Sequence, residues 1–370
     1  MIKKPPVPKY LEDNMAVHKQ GVAPRWRGFN LLGMFCSETS AYYKNQLKSF
    51  SGTEKRSPGF FKEEDFQIIS DWGFDFVRLP LSYRIWSSAK DPFKIDEEKL
   101  SPLDDAVYWG QKYGLHVNIA LHRGPGYCNN DDEPEREPFD LWKDKEKQDA
   151  FVHQWCEIAK RYAYVSPDKL TFNLINEPNG SVGGIDYTRV ARKVMDKVRL
   201  ITPERTFVLD GLSGGAVVPT DSLNGELENV IYSCRGYSPA GLTHHGMRPG
   251  REDQFKLKWP GGIALHGEKY LNIDRDSLDR MYNMWAAVGE IYNVGIHCGE
   301  FGCANQTPHD ITLAWMEDLL SILKEHNIGW AMWNLSGIFG VMDSQRADVE
   351  YESFRGHKLD RKMLELLQKY

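Results

Sequence analysis

Two glutamates stand out by their setting. Leu174-Ile175-Asn176-Glu177-Pro178 and Cys298-Gly299-Glu300-Phe301-Gly302 each run into an acid flanked by Pro or Gly. A buried strand that surfaces at a rim and presents one carboxyl has this form. Two such carboxyls on one sheet are the minimum for breaking a glycosidic bond. One protonates the leaving oxygen, and the other attacks or activates water. Arg78, His122, Arg235, Tyr237 and Trp333 stand at the ends of other apolar runs. Each alone has an ordinary explanation as an ion-pair partner, a hydrogen-bonded histidine or a core aromatic. As a set they gather polar groups at the ends of apolar strands, where desolvation is costly and function is the usual reason for accepting it.

Residues so far apart need a scaffold that brings strand ends together. Short apolar runs over 27–33, 74–80, 115–121, 170–176, 206–210, 230–237, 296–300 and 329–334 read as strands. Amphipathic stretches over 60–72, 101–113, 145–162, 186–201, 276–292, 307–326 and 360–369 read as helices. Ser101-Pro102 and Thr307-Pro308 read as helix starts. The run 206–210 is followed only by a glycine-rich stretch. Apolar strands alternating with helices predict parallel pairing and burial on both faces. A closed (β/α)8 barrel, the TIM-barrel architecture, is the simplest outcome. A doubly wound open sheet is the alternative, weakened because no nucleotide-binding glycine fingerprint follows the first strand. Four strand-to-helix connections are long: 36–59, 122–144, 238–275 and 336–359. In a barrel all four lie at the C-terminal face, where active sites are built. No repeat or linker divides the chain, so residues 1–370 read as one catalytic domain.

Composition narrows the function classes. A net charge of -6 gives no electrostatic footprint for nucleic acid. No run approaches the roughly 18 apolar residues of a membrane span. The first residues, Met1-Ile2-Lys3-Lys4-Pro5-Pro6, lack the apolar segment of a secretory signal. The expectation is a soluble, cytoplasmic chain as written, or a secreted one if a leader precedes it. Six cysteines show no CxxC spacing and read as free thiols. His122, His244 and His297 lack metal-ligand spacing, so neither metal nor cofactor is expected. Aromatics make up 12% of the chain, enough for both a core and a sugar-stacking cleft.

At this point the chain resembles glycoside hydrolase family 5, the cellulase-type retaining β-glycosidases. The resemblance rests on Arg27-Gly28-Phe29-Asn30, Val77-Arg78-Leu79-Pro80, His122, Asn176-Glu177-Pro178, Tyr237-Ser238-Pro239 with Thr243-His244, Gly299-Glu300-Phe301-Gly302 and Trp333, in that order. It implies that Glu177 is the general acid and then base, and that Glu300 is the nucleophile. It further implies that Asn176 and His122 bind the sugar, and that Trp333 forms its stacking floor. Arg78 and Tyr237 are suited to holding Glu300 ionised, and His244 to binding substrate. A β-glucan or cello-oligosaccharide is the expected partner. Mannan, xylan, small glucosides, exo action and transglycosylation stay open, as does a carbohydrate-binding barrel without turnover.

One position departs from the pattern. Arg235 stands where the family usually has a histidine, two residues before the strand-six tyrosine. A fixed cation beside Glu177 would lower its pKa and weaken it as an acid. Arg235 could face Glu300, bind a substrate carboxylate such as a uronic acid, or pair with a loop acid such as Glu252 or Asp253. Further cleft candidates are Tyr42, Tyr43, Tyr127, Trp142, His245, Arg248, Trp259, Asp343, Arg346 and Asp348. For these, a role in tying loops to the barrel is equally open.

Overall fold

The computed structural model describes residues 23–36, 61–129, 137, 140–180, 182–219, 228–247, 257–265 and 269–370. Eight parallel strands close into a barrel: β1 (Arg27–Asn30), β2 (Phe76–Ser82), β3 (His116–Gly124), β4 (Leu170–Asn173), β5 (Phe207–Asp210), β6 (Val230–Gly236), β7 (Gly295–Phe301) and β8 (Gly329–Met332). Each pairs with its neighbours in chain order, and β1 closes the circle against β8 through Arg27–Trp330 and Phe29–Met332. The closed barrel is therefore the outcome, and the open sheet is excluded.

Helices Glu63–Asp71, Pro102–Lys112, Lys145–Arg161, Gly184–Arg199, Arg275–Tyr292, His309–Glu325 and Arg361–Lys369 surround it. After β5 the described residues hold only the turn Leu212–Gly215, in which Ser213 and Gly214 are left-handed. Asp144, Asp274 and Asp360 cap their helices by accepting from backbone N–H groups three residues on. The expected starts at Ser101 and Thr307 differ in detail. A short helix, Glu97–Leu100, runs into Ser101, whose hydroxyl donates back to the Glu98 carbonyl. Thr307 donates to the Leu242 carbonyl, so it ties the β6 loop, and the first N–H of its helix, that of His309, goes instead to the Asp348 carboxylate. Strand β2 also passes through Pro80, which reads as a stop, and ends at Ser82.

The core has two parts. One lies between strands and helices and includes Trp155, Trp315, Leu319 and Trp330, all fully buried. The other fills the barrel's N-terminal half with Trp26, Phe76, Val208, Ile231 and Ala331. The Trp26 ring lies on His116 at 3.9 Å between centroids and closes this end. Above that apolar plug the strands turn polar. Asn30 of β1 sits opposite Arg78 of β2, and Arg78 opposite Asn118 of β3. The barrel therefore presents an apolar floor, a polar layer and a rim of loops.

Candidate active site

Glu300 is aimed by a local irregularity. The register of β7 slips between Cys298 and Glu300 against β6, with Gly299 at the bulge. A bulge redirects the side chains that follow it. Only glycine fits there: a Cβ at Gly299 would lie 2.5 Å from the Ser233 hydroxyl and 2.9 Å from the Arg235 guanidinium. Glu300, 3% exposed, accepts from Arg78 at 2.6 Å on Oε1 and from the Tyr237 hydroxyl at 3.1 Å on Oε2. Arg78 is itself fixed by the side-chain oxygens of Asn30, Asn173 and Asn176, at 2.9–3.1 Å. A cation oriented by three amides needs no rearrangement to stabilise a carboxylate.

Glu177 is held differently. Its φ of 47° is a left-handed conformation that few non-glycine residues adopt. The peptide is pinned on both sides. Its N–H donates to Asp210 at 2.8 Å, and its carbonyl accepts from the Tyr127 hydroxyl at 2.7 Å. The carboxyl accepts from Asn129 at 2.6 Å and from Arg235 Nε at 2.9 Å.

Arg235 lies between the two glutamates. It meets Glu177 through Nε and Glu300 through Nη2, the latter at 3.4 Å. Its remaining donors go to Ser233, the Cys234 carbonyl, Asn176 and Asp210. All five N–H groups are thus engaged. The nucleophile-facing and the paired readings of Arg235 both describe it, but its paired acid is Asp210 at the end of β5. The proposed partners Glu252 and Asp253 lie outside the described residues. No donor is left over for a substrate carboxylate, which removes the basis for the uronic acid reading.

These surroundings make Glu177 a proton donor. Burial pushes Glu177 up to about 7, helped by the charges of Glu300 and Asp210 and opposed by Arg235 and Asn129. A carboxyl that keeps its proton near neutrality can act as an acid. Burial and the nearby glutamates hold the Tyr237 hydroxyl well above its ordinary range, so it remains a donor.

The other expected residues gather at the same rim. Asn176, fully buried, accepts from both Arg78 and Arg235 and has its amide nitrogen 3.4 Å from His122 Nε2. The His122 ring stacks on Trp333 at 5.8 Å, and Phe35 meets both rings edge-on. His244 packs on Tyr237 and Phe339. His297 lies elsewhere, against Phe76 inside the barrel, so the three histidines do not converge.

Several loop candidates are supports instead. Tyr127 and Trp142 are buried against each other behind Glu177. Trp259 donates to Asp318. Asp343 accepts from Ser336, Arg346 donates to the Thr307 and Cys303 carbonyls, and Asp348 accepts from the His309 N–H. Tyr42, Tyr43 and Arg248 lie outside the described residues. Sequence reasoning missed Asn30, Asn129, Asn173 and Asp210. Asn30, Asn173 and Asp210 are polar residues in or ending apolar strands, and that was a usable signal. Asn129 sits on a loop and gave none.

Comparison with known proteins agrees with this geometry. Residues 37–337 match the model of the cellulase family, glycosyl hydrolase family 5. Cellodextrinase A of Ruminococcus flavefaciens is 28% identical over 281 residues, 75% of this chain and 79% of that protein. Endoglucanase C of Acetivibrio thermocellus is 27% identical over 315 residues, 79% of this chain and 89% of that protein. A crystal structure of a glycoside hydrolase is 33% identical with a TM-score of 0.80, covering 93% of this chain and 99% of that one. Thermotoga maritima Cel5A, solved with cellobiose, shares the fold at 21% identity and a TM-score of 0.69, covering 93% of this chain and 96% of its own. The chain is an O-glycosyl hydrolase and belongs to glycosyl hydrolase family 5.

Proposed function

We propose that this chain hydrolyses β-linked glucans or cello-oligosaccharides with retention of configuration, as one catalytic domain. The observation that carries this reading is the pair of glutamates joined by one guanidinium, Glu177 at Nε and Glu300 at Nη2 of Arg235, in unlike surroundings. Glu300, bound by Arg78 and Tyr237, is the nucleophile. It attacks C1 as the glycosidic C–O bond breaks, and Glu177 gives its proton to the leaving oxygen. Glu177 then takes a proton from water, the water oxygen bonds to C1, and Glu300 is released. A retaining outcome needs the carboxyls about 5–5.5 Å apart, a separation that one shared guanidinium favours. Asn176 and His122 bond sugar hydroxyls, and Trp333 with Phe35 forms an apolar floor. His244, packed on Tyr237, borders a neighbouring sugar. With Arg235 fully engaged, the site suits neutral sugars. Relatives named as a cellodextrinase and an endoglucanase support the glucan reading.

The test is turnover of aryl β-cellobioside and soluble β-glucan, with the first product anomer read by NMR. Wild type should release the β-anomer first, and Glu300→Ala should be inactive on both substrates. Near-wild-type turnover by Glu300→Ala would end the proposal.

A further inference from the structure

Asp210 ends β5 with no exposed surface. Its Oδ1 accepts from Asn173 at 3.0 Å. Its Oδ2 accepts from the Glu177 N–H at 2.8 Å and from Arg235, and lies 4.0 Å from Arg78. Space for this arrangement is built in. Gly215, at a φ of 83°, and Gly299 flank Arg235, and a Cβ on Gly215 would lie 2.4 Å from the arginine Cγ. The guanidinium is therefore cradled by backbone and can lean only toward the acids.

The charges can be counted. Two guanidiniums, Arg78 and Arg235, share one hydrogen-bonded network with three carboxyls, Asp210, Glu177 and Glu300. Two cations balance two carboxylates. A third carboxylate would be an uncompensated charge at the mouth of a buried site, which is expensive. Asp210 and Glu300 each lie within 4.0 Å of both guanidiniums, whereas Glu177 meets only Arg235, through Nε.

We propose that Asp210 is a positioning residue that sets the charge parity of the site, so that Arg235 leaves Glu177 its proton. Asp210 occupies the positive charge that would otherwise ionise the acid, and its Oδ2 holds the left-handed Glu177 peptide in place. The inference rests on Glu177 being the general acid. The titratable and charged groups facing Glu177 are Tyr127 from the loop after β3, Asp210 from β5, Arg235 and Tyr237 from β6, and Glu300 from β7; Arg78 and His122 lie one residue away, on Asn176, and Tyr187 from the helix after β4 lies near Asp210. Burial and Arg78 hold His297, below them, down at about 3, so it adds no charge near neutrality.

The experiment is the pH dependence of kcat/KM on aryl β-cellobiosides with good and poor leaving groups. Wild type, Glu177→Ala, Asp210→Asn, Arg235→Gln and the Asp210→Asn/Arg235→Gln pair would be compared. Asp210→Asn keeps the shape and one oxygen acceptor but removes the charge. Its alkaline limb should move down by about one pH unit or more. At pH 7 it should lose more rate on poor leaving groups than on good ones. Arg235→Gln should move the limb up, and the pair should bring it back toward wild type. A merely structural role for Asp210 would lower rates without moving the limb. An unmoved limb in Asp210→Asn overturns the inference. If that variant does not fold, an unmoved limb in Arg235→Gln does so. A limb that survives in Glu177→Ala overturns the assignment of the acid, and this inference with it.

Discussion

Glu177 should make the folded protein less stable as pH rises, and Glu177→Gln should remove that loss. The carboxyl titrates at about 7 in the fold against an ordinary 4.5, with burial as the main cause. The native state therefore binds the proton more tightly than the unfolded chain does. For a group raised in this way, the stabilisation is fully present below 4.5. It is lost as pH climbs from 4.5 to about 7. The loss amounts to about 3 kcal/mol, since one pH unit corresponds to about 1.4 kcal/mol. Glutamine mimics the protonated acid and still offers Arg235 an acceptor. At pH 4.5 the two proteins should agree within about 1 kcal/mol. At pH 8 the variant should be more stable by about 3 kcal/mol while turning over poor-leaving-group substrates far more slowly. Urea unfolding at equilibrium, followed by tryptophan fluorescence across this range, measures the difference. Titrations of groups that do not sense Glu177 cancel in the difference. Parallel pH curves for the two proteins would refute the reasoning, because Glu177 would then not be the group that ionises near 7.

Tyr237→Phe deletes one donor to Glu300 and keeps the ring against His244 and Phe339. A hydrogen bond to a charged group is worth about 1.5–3 kcal/mol, so kcat/KM should fall about 10- to 100-fold with the fold intact by circular dichroism; an unchanged rate would count against that contact. Arg78→Lys keeps the charge but cannot span Glu300 and three asparagines at once. It should lose at least about 100-fold in kcat and also melt earlier, as expected when buried polar groups are left unpaired. Retention of both rate and melting temperature would show that charge alone suffices.

The fold was legible because its signals are local and repeated. Each barrel strand is an apolar run of a few residues, and each helix carries one buried stripe. Boundaries were less legible where tertiary contacts decide them. Pro80 reads as a stop, yet β2 continues to Ser82, whose N–H reaches the Met34 carbonyl from the loop after β1. Ser101 looks like a cap because Pro102 follows it, yet Asp96 already caps a short helix, Glu97–Leu100, that runs into it. The loop aromatics were ambiguous for a similar reason. Tyr127 and Trp142 have the composition of a sugar platform, but burial behind Glu177 makes them its backing.

The site divides along the same line. Glu177 and Glu300 could be read because an acid at the end of an apolar strand is conspicuous alone. Asp210 obeys that rule too, in Phe207-Val208-Leu209-Asp210, yet a single acid on a third strand has no role until its partner is known. That partner, Arg235, was conspicuous for the opposite reason, as a cation where it should harm the chemistry. Read separately, Arg235 argues against a working acid and Asp210 argues for nothing. Placed in contact, each removes the other's difficulty. Asp210 takes up the charge that would ionise Glu177, and Arg235 supplies the donor that makes a fully buried carboxylate tolerable. Substitution at one of these positions without the other should therefore damage catalysis more than substitution at both. Such a coupling between β5 and β6 shows itself only when the barrel closes and brings the two strand ends into register, Asp210 opposite Ser233 and two residues from Arg235.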